Sequence, residues 1–228
     1  MLGLVLGTLR LPLLVLATGS PLQAAGTNIA VSAAAAATGG LRHARERRVD
    51  WHVVRWTAPP SVAGAVVGAL LADQVSENVL DAIIAAILVW SAVDLALRPI
   101  RARPRERLRV VRGGALALGI GFLGGSIGVI LGTLRMPALV RSVGLDVRRA
   151  AGTNLVVGFL LGLSAFVVHA ASLRVDWVVL AAGMVGAMPG GWLGAKATGR
   201  FPEEALRFAL GVVLALVAVA FAVQAALP

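Results

Sequence analysis

Two arginines lie inside otherwise apolar stretches of the chain, at matching places in a repeated decapeptide. Leu6–Val15 reads LGTLRLPLLV and Leu131–Val140 reads LGTLRMPALV, so Arg10 and Arg135 occupy the same position in the two copies. An arginine in a membrane interior costs from about 2.5 kcal/mol upward, so its recurrence indicates a function. The planar guanidinium matches the oxygens of a carboxylate, sulfite or sulfonate. The alternative is that each side chain extends, or snorkels, to the headgroups.

Small polar residues follow each decapeptide in an Ala-Gly-Thr-Asn tetrad, which opens the next apolar segment. There, free backbone N–H groups and Thr and Asn donors can receive an anion. The alternative is helix capping with interhelical hydrogen bonds. The predicted substrate-binding residues are Arg10, Arg135, Thr27, Asn28, Thr153 and Asn154. Pro12 and Pro137 follow the arginines by two residues, and we predict that they break or kink the helix.

A histidine and a Val-Asp-Trp tripeptide complete each copy of the repeat. We place His43 and His169 at cytoplasmic helix ends, where they are interfacial or carry a proton for coupled transport. Asp50 and Asp176 are predicted to cap the helices that follow them. The offset between the copies is 125 residues at the decapeptide and 126 at the later motifs, which indicates a duplicated unit.

The composition indicates a membrane protein. Of 228 residues, 58% are hydrophobic and 14% charged, a balance that would leave a large apolar surface on a water-soluble domain. The chain has no cysteine, which excludes disulfides and thiolate metal sites, and its three histidines show no metal-ligand spacing. The net charge of +10 is concentrated in the connections, which indicates membrane topology rather than nucleic-acid binding. No metal or cofactor is expected.

Apolar runs long enough to cross a bilayer as helices recur along the chain. They are Met1–Ala17, Ala24–Leu41, Val53–Ala72, Val79–Leu97, Gly113–Val140, Ala150–Ala171, Trp177–Ala197 and Ala205–Leu227. We therefore predict an all-α polytopic membrane protein of about eight transmembrane helices, built from two four-helix repeats. The first repeat covers 1–97, a basic cytoplasmic linker covers 98–112, and the second repeat covers 113–228.

The connections after the second, fourth and sixth segments carry most of the arginines, over Arg42–Arg55, over Arg98–Arg112 and at Arg174. The positive-inside rule then places both termini and the linker in the cytoplasm of a multi-pass protein of the bacterial inner membrane. The linker has an alternative role as a regulatory or anionic-lipid site.

Two points of topology stay open. An even number of helices per repeat gives the two halves one orientation, whereas a broken or re-entrant helix in Gly113–Val140, which is rich in glycine, gives inverted repeats. The first crossing is also short before Pro12, so we expect a truncated or incomplete N-terminal crossing; the alternative is a signal peptide.

The motifs in this order resemble those of the sulfite exporter family named for TauE and SafE. The resemblance rests on the glycine-rich helix GIGFLGGSIGVILGTLRMPAL, on AAGTN opening the next helix and on the Val-Asp-Trp connection, and it covers nearly the whole chain. Many members have consecutive glycines before the proline, where this chain reads VILGTLR. The resemblance implies transport of small anions, often sulfite or organosulfonates.

We therefore expect a secondary transporter of small anions rather than an enzyme. No Gly-Lys-Ser nucleotide-binding motif is present, so an ion gradient, a proton gradient or the substrate's own gradient would drive it. The expected partners are a small anionic substrate and the lipid bilayer, with no nucleic acid, and a homo-oligomer is left open. The competing hypothesis is a non-transporting membrane subunit that scaffolds a complex.

Overall fold

The computed structural model describes residues 10–11, 13–15, 17–74, 76 and 110–198, together with positions 208, 212 and 219. Within these residues the fold is helical and contains no strand, which confirms the all-α prediction for this part of the chain. The helices are α1 (Pro21–Arg45), α2 (Trp51–Leu70), α3 (Val110–Ile127), α4 (Gly132–Pro137), α5 (Val147–Ala171) and α6 (Trp177–Thr198). A 3-10 turn, Ala72–Gln74, follows α2, and a π-helical turn, Ala138–Ser142, follows α4.

Several sequence predictions fall outside the described residues. These are Pro12, residues 1–9, the segment Val79–Leu97, most of the basic linker and nearly all of Ala205–Leu227. The helices α5 and α6 are each long and apolar enough to cross a bilayer. The structure thus provides two candidate membrane spans by length and composition, while the count of eight helices stays a prediction.

Carboxylate and hydroxyl caps fix where the helices begin. The Asp50 carboxylate accepts a hydrogen bond from the Val53 N–H at 3.1 Å, and the Asp176 carboxylate accepts from the Val178 and Val179 N–H groups. These contacts satisfy N–H groups that have no partner inside the helix. The predicted capping roles of Asp50 and Asp176 are confirmed.

Helices α1 and α5, which carry the two tetrads, pack against each other in opposite directions. Near the start of α1, Gly26 faces His169 and Arg174 at the end of α5. Near the end of α1, Gly40 faces Val156 close to the start of α5. The two copies of the motif are therefore inverted at this pair, which is the second of the two arrangements that the sequence left open.

The physical reason lies in the segment Gly113–Val140, which is not one continuous helix. The helix α3 ends at Ile127, Gly128 has a φ of +71°, and the backbone is non-helical until α4 begins at Gly132. A positive φ is accessible to glycine at little cost because it has no Cβ. This break lets the chain reverse between α3 and α5.

The helices on either side of that reversal run parallel. Gly121 and Gly125 of α3 lie against Ser61 and Ala65 of α2, in the same order along both helices. Helices α2 and α5 also run in the same direction, because Gly152 near the start of α5 faces Arg48, just before α2, and Arg174, just after α5, donates to the Ala69 carbonyl near the end of α2. Because α3 and α5 both run parallel to α2, the chain between them must return to the end of the bundle at which α3 began.

The helices that correspond in the two copies are α1 with α5 and α2 with α6. Helix α6 packs on α1, and helix α2 packs on α5, so each contact joins one copy to the other. Along α1 and α6, Gly191 lies against Ala35, and the Thr38 hydroxyl donates to the Met188 carbonyl oxygen at 2.9 Å. Helices α2 and α5 form the corresponding pair. Gly64 and Gly68 of α2 approach the α3 backbone closely, which small residues allow between packed membrane helices. At their counterparts Gly190 and Gly194, the position that a Cβ would occupy has no described atom within 4 Å.

The two ends of this bundle carry different charge. Arg174, between α5 and α6, forms an ion pair with Asp73 and donates to the Ala69 carbonyl oxygen at 3.2 Å, so it lies where α2 ends. The arginines that follow α1 lie at the opposite end with the start of α5, because Gly152 faces Arg48. Arg174 is therefore not on the side of Arg42–Arg55, and that expectation is corrected. Arg148 and Arg149 join that basic end.

Replacement of Asp73 by asparagine is expected to lower the free energy of unfolding by less than about 1 kcal/mol. The Asp73 side chain is 50% exposed, and exposed ion pairs contribute little. Arg174 keeps its bond to the Ala69 carbonyl. Thermal unfolding of Asp73→Asn beside Glu46→Gln, at the other end, measures this; a much larger loss in Asp73→Asn alone would contradict it.

Candidate functional site

Arg10 is bound to α1 by three hydrogen bonds. Its Nε donates to the side-chain oxygen of Asn28 at 2.9 Å, and its Nη2 donates to the Asn28 carbonyl oxygen at 3.1 Å and to the Ser32 hydroxyl at 2.8 Å. The N–H groups of Nε and Nη2 point the same way, along the edge of the guanidinium that can hold two oxygens of one anion. In Arg10, hydrogen-bond acceptors of Asn28 and Ser32 on α1 occupy this edge.

Arg135 is 3% exposed and presents the same edge differently. Its Nη1 donates to the side-chain oxygen of Asn154 at 3.0 Å. Its Nε and Nη2 are buried and have no hydrogen-bond partner among the described residues. Two parallel N–H donors of a buried cation are therefore without an acceptor among the described residues.

The positive charge of Arg135 is not neutralised by the described part of the chain. The ion pairs there join Arg42 and Arg48 to Glu46, and Arg174 to Asp73, all at helix ends. A buried donor without a partner costs about 1–3 kcal/mol, and more when it is charged. An anion bound to Nε and Nη2 would offset this cost.

Two asparagines connect the arginines to the helix break at 128–131. The Asn28 side-chain amide donates to the Gly128 carbonyl oxygen at 3.0 Å, and the Asn154 amide donates to the Gly132 carbonyl oxygen at 2.8 Å. Each asparagine thus accepts from an arginine and donates to the backbone at one end of the break. This places the broken segment between the two guanidinium groups.

The arginines lie at different depths in the bundle. Gly152 faces His43 and Gly40 faces Val156, so Asn154 lies opposite the last part of α1. At a rise of about 1.5 Å per residue, this level is roughly 20 Å along α1 from Asn28. The apolar residues of the break, Val129–Leu131, are at most 1% exposed and lie between the two levels.

The threonines of the two tetrads make reciprocal contacts between the copies. The Asp176 N–H donates to the Thr27 hydroxyl, and the Asp50 N–H donates to the Thr153 hydroxyl, both at 2.9 Å. The tetrads lie just inside the helix starts, as the sequence indicated, because α1 begins at Pro21 and α5 at Val147. Only the first four N–H groups of a helix lack helical partners, and the tetrads lie beyond them or at their edge.

The histidines are fully buried at opposite ends of the α1–α5 pair, so their expected shared location at cytoplasmic helix ends is wrong. His169 Nε2 lies 2.9 Å from the Gly125 carbonyl oxygen, which can only accept, so this nitrogen donates. Among the described residues, His169 Nδ1 and both ring nitrogens of His43 have no partner. A role in carrying protons stays a prediction.

Pro137 ends α4, and the chain continues into the π-helical turn Ala138–Ser142. The interruption of the helix lies earlier, at 128–131, where glycine rather than proline reverses the chain. The helix-breaking role of Pro137 stays a prediction, and Pro12 lies outside the described residues.

A buried arginine and a half-buried arginine thus lie beside a broken helix in an apolar bundle, and comparison with known proteins fits this geometry. The model of the family described as sulfite exporter TauE/SafE matches residues 1–221. The chain belongs to the sulfite exporter TauE/SafE family. It is thus a membrane transporter of this family and not a member of an enzyme family.

This TauE/SafE chain is similar over most of its length to proteins that carry the name probable membrane transporter. It is 25% identical over 224 residues to YdhB of Bacillus subtilis (strain 168), with 92% of this chain and 91% of that protein covered. It is 29% identical over 221 residues to ORF9 of Sinorhizobium sp, with 96% and 83% covered. No solved structure matches the chain.

The motifs that identify the TauE/SafE chain did not reveal every residue around its arginines. Ser32 holds Arg10, and the carbonyl groups of Gly128 and Gly132 hold the asparagines. Aligning the copies at their offset of 126 residues would have placed Ser32 against Gly158 and shown that one hydroxyl is present only once. The contacts of the backbone carbonyls cannot be recognised from the sequence, because every residue carries a carbonyl group.

Proposed function

We propose that this protein is a secondary transporter of small oxyanions, with sulfite, organosulfonates or related anions as substrates. The observation that carries the proposal is the buried Arg135 guanidinium, whose Nε and Nη2 have no partner in the described part of the chain. A fixed pair of N–H donors and a positive charge in a water-poor environment select an anion with two oxygens on one atom.

The surroundings of Arg135 support transport rather than permanent binding. The site lies next to a broken helix that two asparagines hold at its ends. Transporters commonly place broken helices at the substrate site, between repeats of inverted topology. The family description and the names of the relatives agree with this class of function.

The predicted site residues then take different roles. Arg135 contacts the anion, while Asn154 and Asn28 orient the arginines and Arg10 binds the preceding segment to α1. Thr27 and Thr153 fix each copy to the turn of the other. In this proposal the tetrads position the site and do not donate to the substrate directly.

We propose the predicted eight helices in two four-helix units, here with inverted orientation, and a multi-pass location in the bacterial inner membrane. The end that carries Arg42–Arg48, Arg148 and Arg149 would face the cytoplasm under the positive-inside rule. With that end in the cytoplasm, α6 also ends there, because Arg42 and Arg45 lie over Trp192. The predicted last helix would then return the chain to the opposite side, so the predicted cytoplasmic position of both termini does not fit this orientation and is not part of this proposal. The coupling to a proton or other ion gradient remains part of it.

Purified protein in proteoliposomes is expected to catalyse saturable uptake of at least one oxyanion from a panel of sulfite, methanesulfonate, taurine and acetate. Chloride is the matched control, because a single-centre anion cannot place two oxygens on the fork. Radiolabel flux against empty vesicles measures this. Correctly inserted protein that moves none of the panel would overturn the proposal and favour a scaffold.

A further inference from the structure

The two arginines differ in one neighbour. Positions 32 and 158 are equivalent at the 126-residue offset, with Ser32 on α1 and Gly158 on α5. The Ser32 hydroxyl accepts from Arg10 Nη2 at 2.8 Å. Gly158 offers no side chain, and the Nη2 of Arg135 has no partner within the described residues. The Ser32 hydroxyl is thus one of the acceptors that fill the edge of Arg10, and the equivalent position beside Arg135 offers no such acceptor.

The guanidinium groups are also turned differently toward their asparagines. Arg10 uses Nε for the Asn28 side chain, so its Nε and Nη2 edge faces α1. Arg135 uses Nη1 for the Asn154 side chain, which leaves the Nε and Nη2 edge directed away from that contact. The duplicated motif has thus kept both arginines and both asparagines but not their hydrogen bonding.

We propose that the protein binds one oxyanion at a time, through Nε and Nη2 of Arg135, and that the absence of a hydroxyl at position 158 keeps this edge free for it. This rests on the proposed transport of oxyanions. Arg10 is then a positioning residue, since α1 already fills its edge. The two copies contribute unequally to a site that their sequences present as symmetric.

The free edge also defines the ligand class. Two parallel N–H groups bind two oxygens attached to one atom, as in a carboxylate, a sulfite or a sulfonate. The burial of Arg135 favours anions whose charged group can be fully desolvated in a small space. We expect chloride to compete poorly with such anions.

The test compares Gly158→Ser with Gly158→Ala, which differ only by one hydroxyl. In Gly158→Ser the new hydroxyl lies four residues after Asn154, as Ser32 lies four residues after Asn28, and it is expected to accept from Arg135 Nη2. The KM for the panel anion that the wild-type protein carries is expected to be about tenfold higher in Gly158→Ser than in Gly158→Ala, since one charge-assisted hydrogen bond to the anion is lost. Any cost of the added Cβ is shared by both variants.

Binding stoichiometry provides a second measurement that needs no substitution. Titration of the wild-type protein with the same anion is expected to give one bound anion per chain. Equal KM values in the two inserted variants, or two anions per chain, would overturn this inference while leaving oxyanion transport intact. Failure of the wild-type protein to carry any panel anion would instead overturn the proposed function and the inference together. If neither variant inserts, the stoichiometry decides.

Discussion

Arg135→Ala is expected to lower oxyanion flux by about 100-fold while leaving the protein folded. The substitution removes two charge-assisted hydrogen bonds to the anion, each contributing about 1.5 kcal/mol, and a sum of about 3 kcal/mol corresponds to that factor. Because Nε and Nη2 have no partner among the described residues, the variant loses only the bond to Asn154 from the folded structure. Initial rates of radiolabel uptake, normalised to inserted protein, measure the loss.

Arg135→Lys is the matched control for the geometry of the fork. Lysine keeps the positive charge but cannot present two parallel N–H groups, so the variant is expected to recover only part of the flux. Full recovery would mean that charge alone attracts the anion. Wild-type flux in Arg135→Ala, with normal insertion, would remove Arg135 from the substrate site.

Gly26→Ala and Gly152→Ala are each expected to destabilise the protein by about 3 kcal/mol or more, enough to prevent recovery of folded protein. A Cβ at Gly26 would overlap the Arg174 carbonyl oxygen, and one at Gly152 would overlap the Arg48 carbonyl oxygen. Overpacking typically costs about 1–3 kcal/mol, and a rigid backbone acceptor leaves little room to adjust. Because the contacts are reciprocal, the two variants should fail to a similar extent.

Detergent size-exclusion chromatography with thermal unfolding measures this effect. Gly119→Ala and Gly190→Ala are matched controls within helices, since a Cβ there meets no atom of the described residues within 4 Å. Alanine has a higher helix propensity than glycine, so these controls should be neutral or slightly stabilised. Wild-type stability in Gly26→Ala would show that α1 and the turn at Arg174 separate at little cost.

The duplication made part of the site predictable. Two arginines in apolar segments, 125 residues apart, and two tetrads, 126 residues apart, predicted that Arg10, Arg135, Asn28 and Asn154 act together, and each arginine does contact its own asparagine. The caps at Asp50 and Asp176 followed from residue type and position alone. Such local features depend on a few neighbouring residues, which a sequence displays directly.

The direction of the chain was less predictable. A helix that crosses the bilayer and one that turns back at Gly128 are both apolar and glycine-rich, so hydropathy does not separate them. That one reversal decides whether α1 and α5 are parallel, where Arg174 lies and whether the histidines share an end. The free edge of Arg135 depends on side-chain orientation and on residue 158, which motif matching ignores.

The reciprocal bonds of Thr27 to Asp176 and of Thr153 to Asp50 have the form of an isologous interface, in which residue i contacts j and j contacts i. Two separate copies of an ancestral half, inserted in opposite directions, would have met through the same contacts as a two-fold homodimer. Fusion of the genes then needed no new interface. Fusion also allowed equivalent positions in the two halves to acquire different residues, such as serine at position 32 and glycine at position 158.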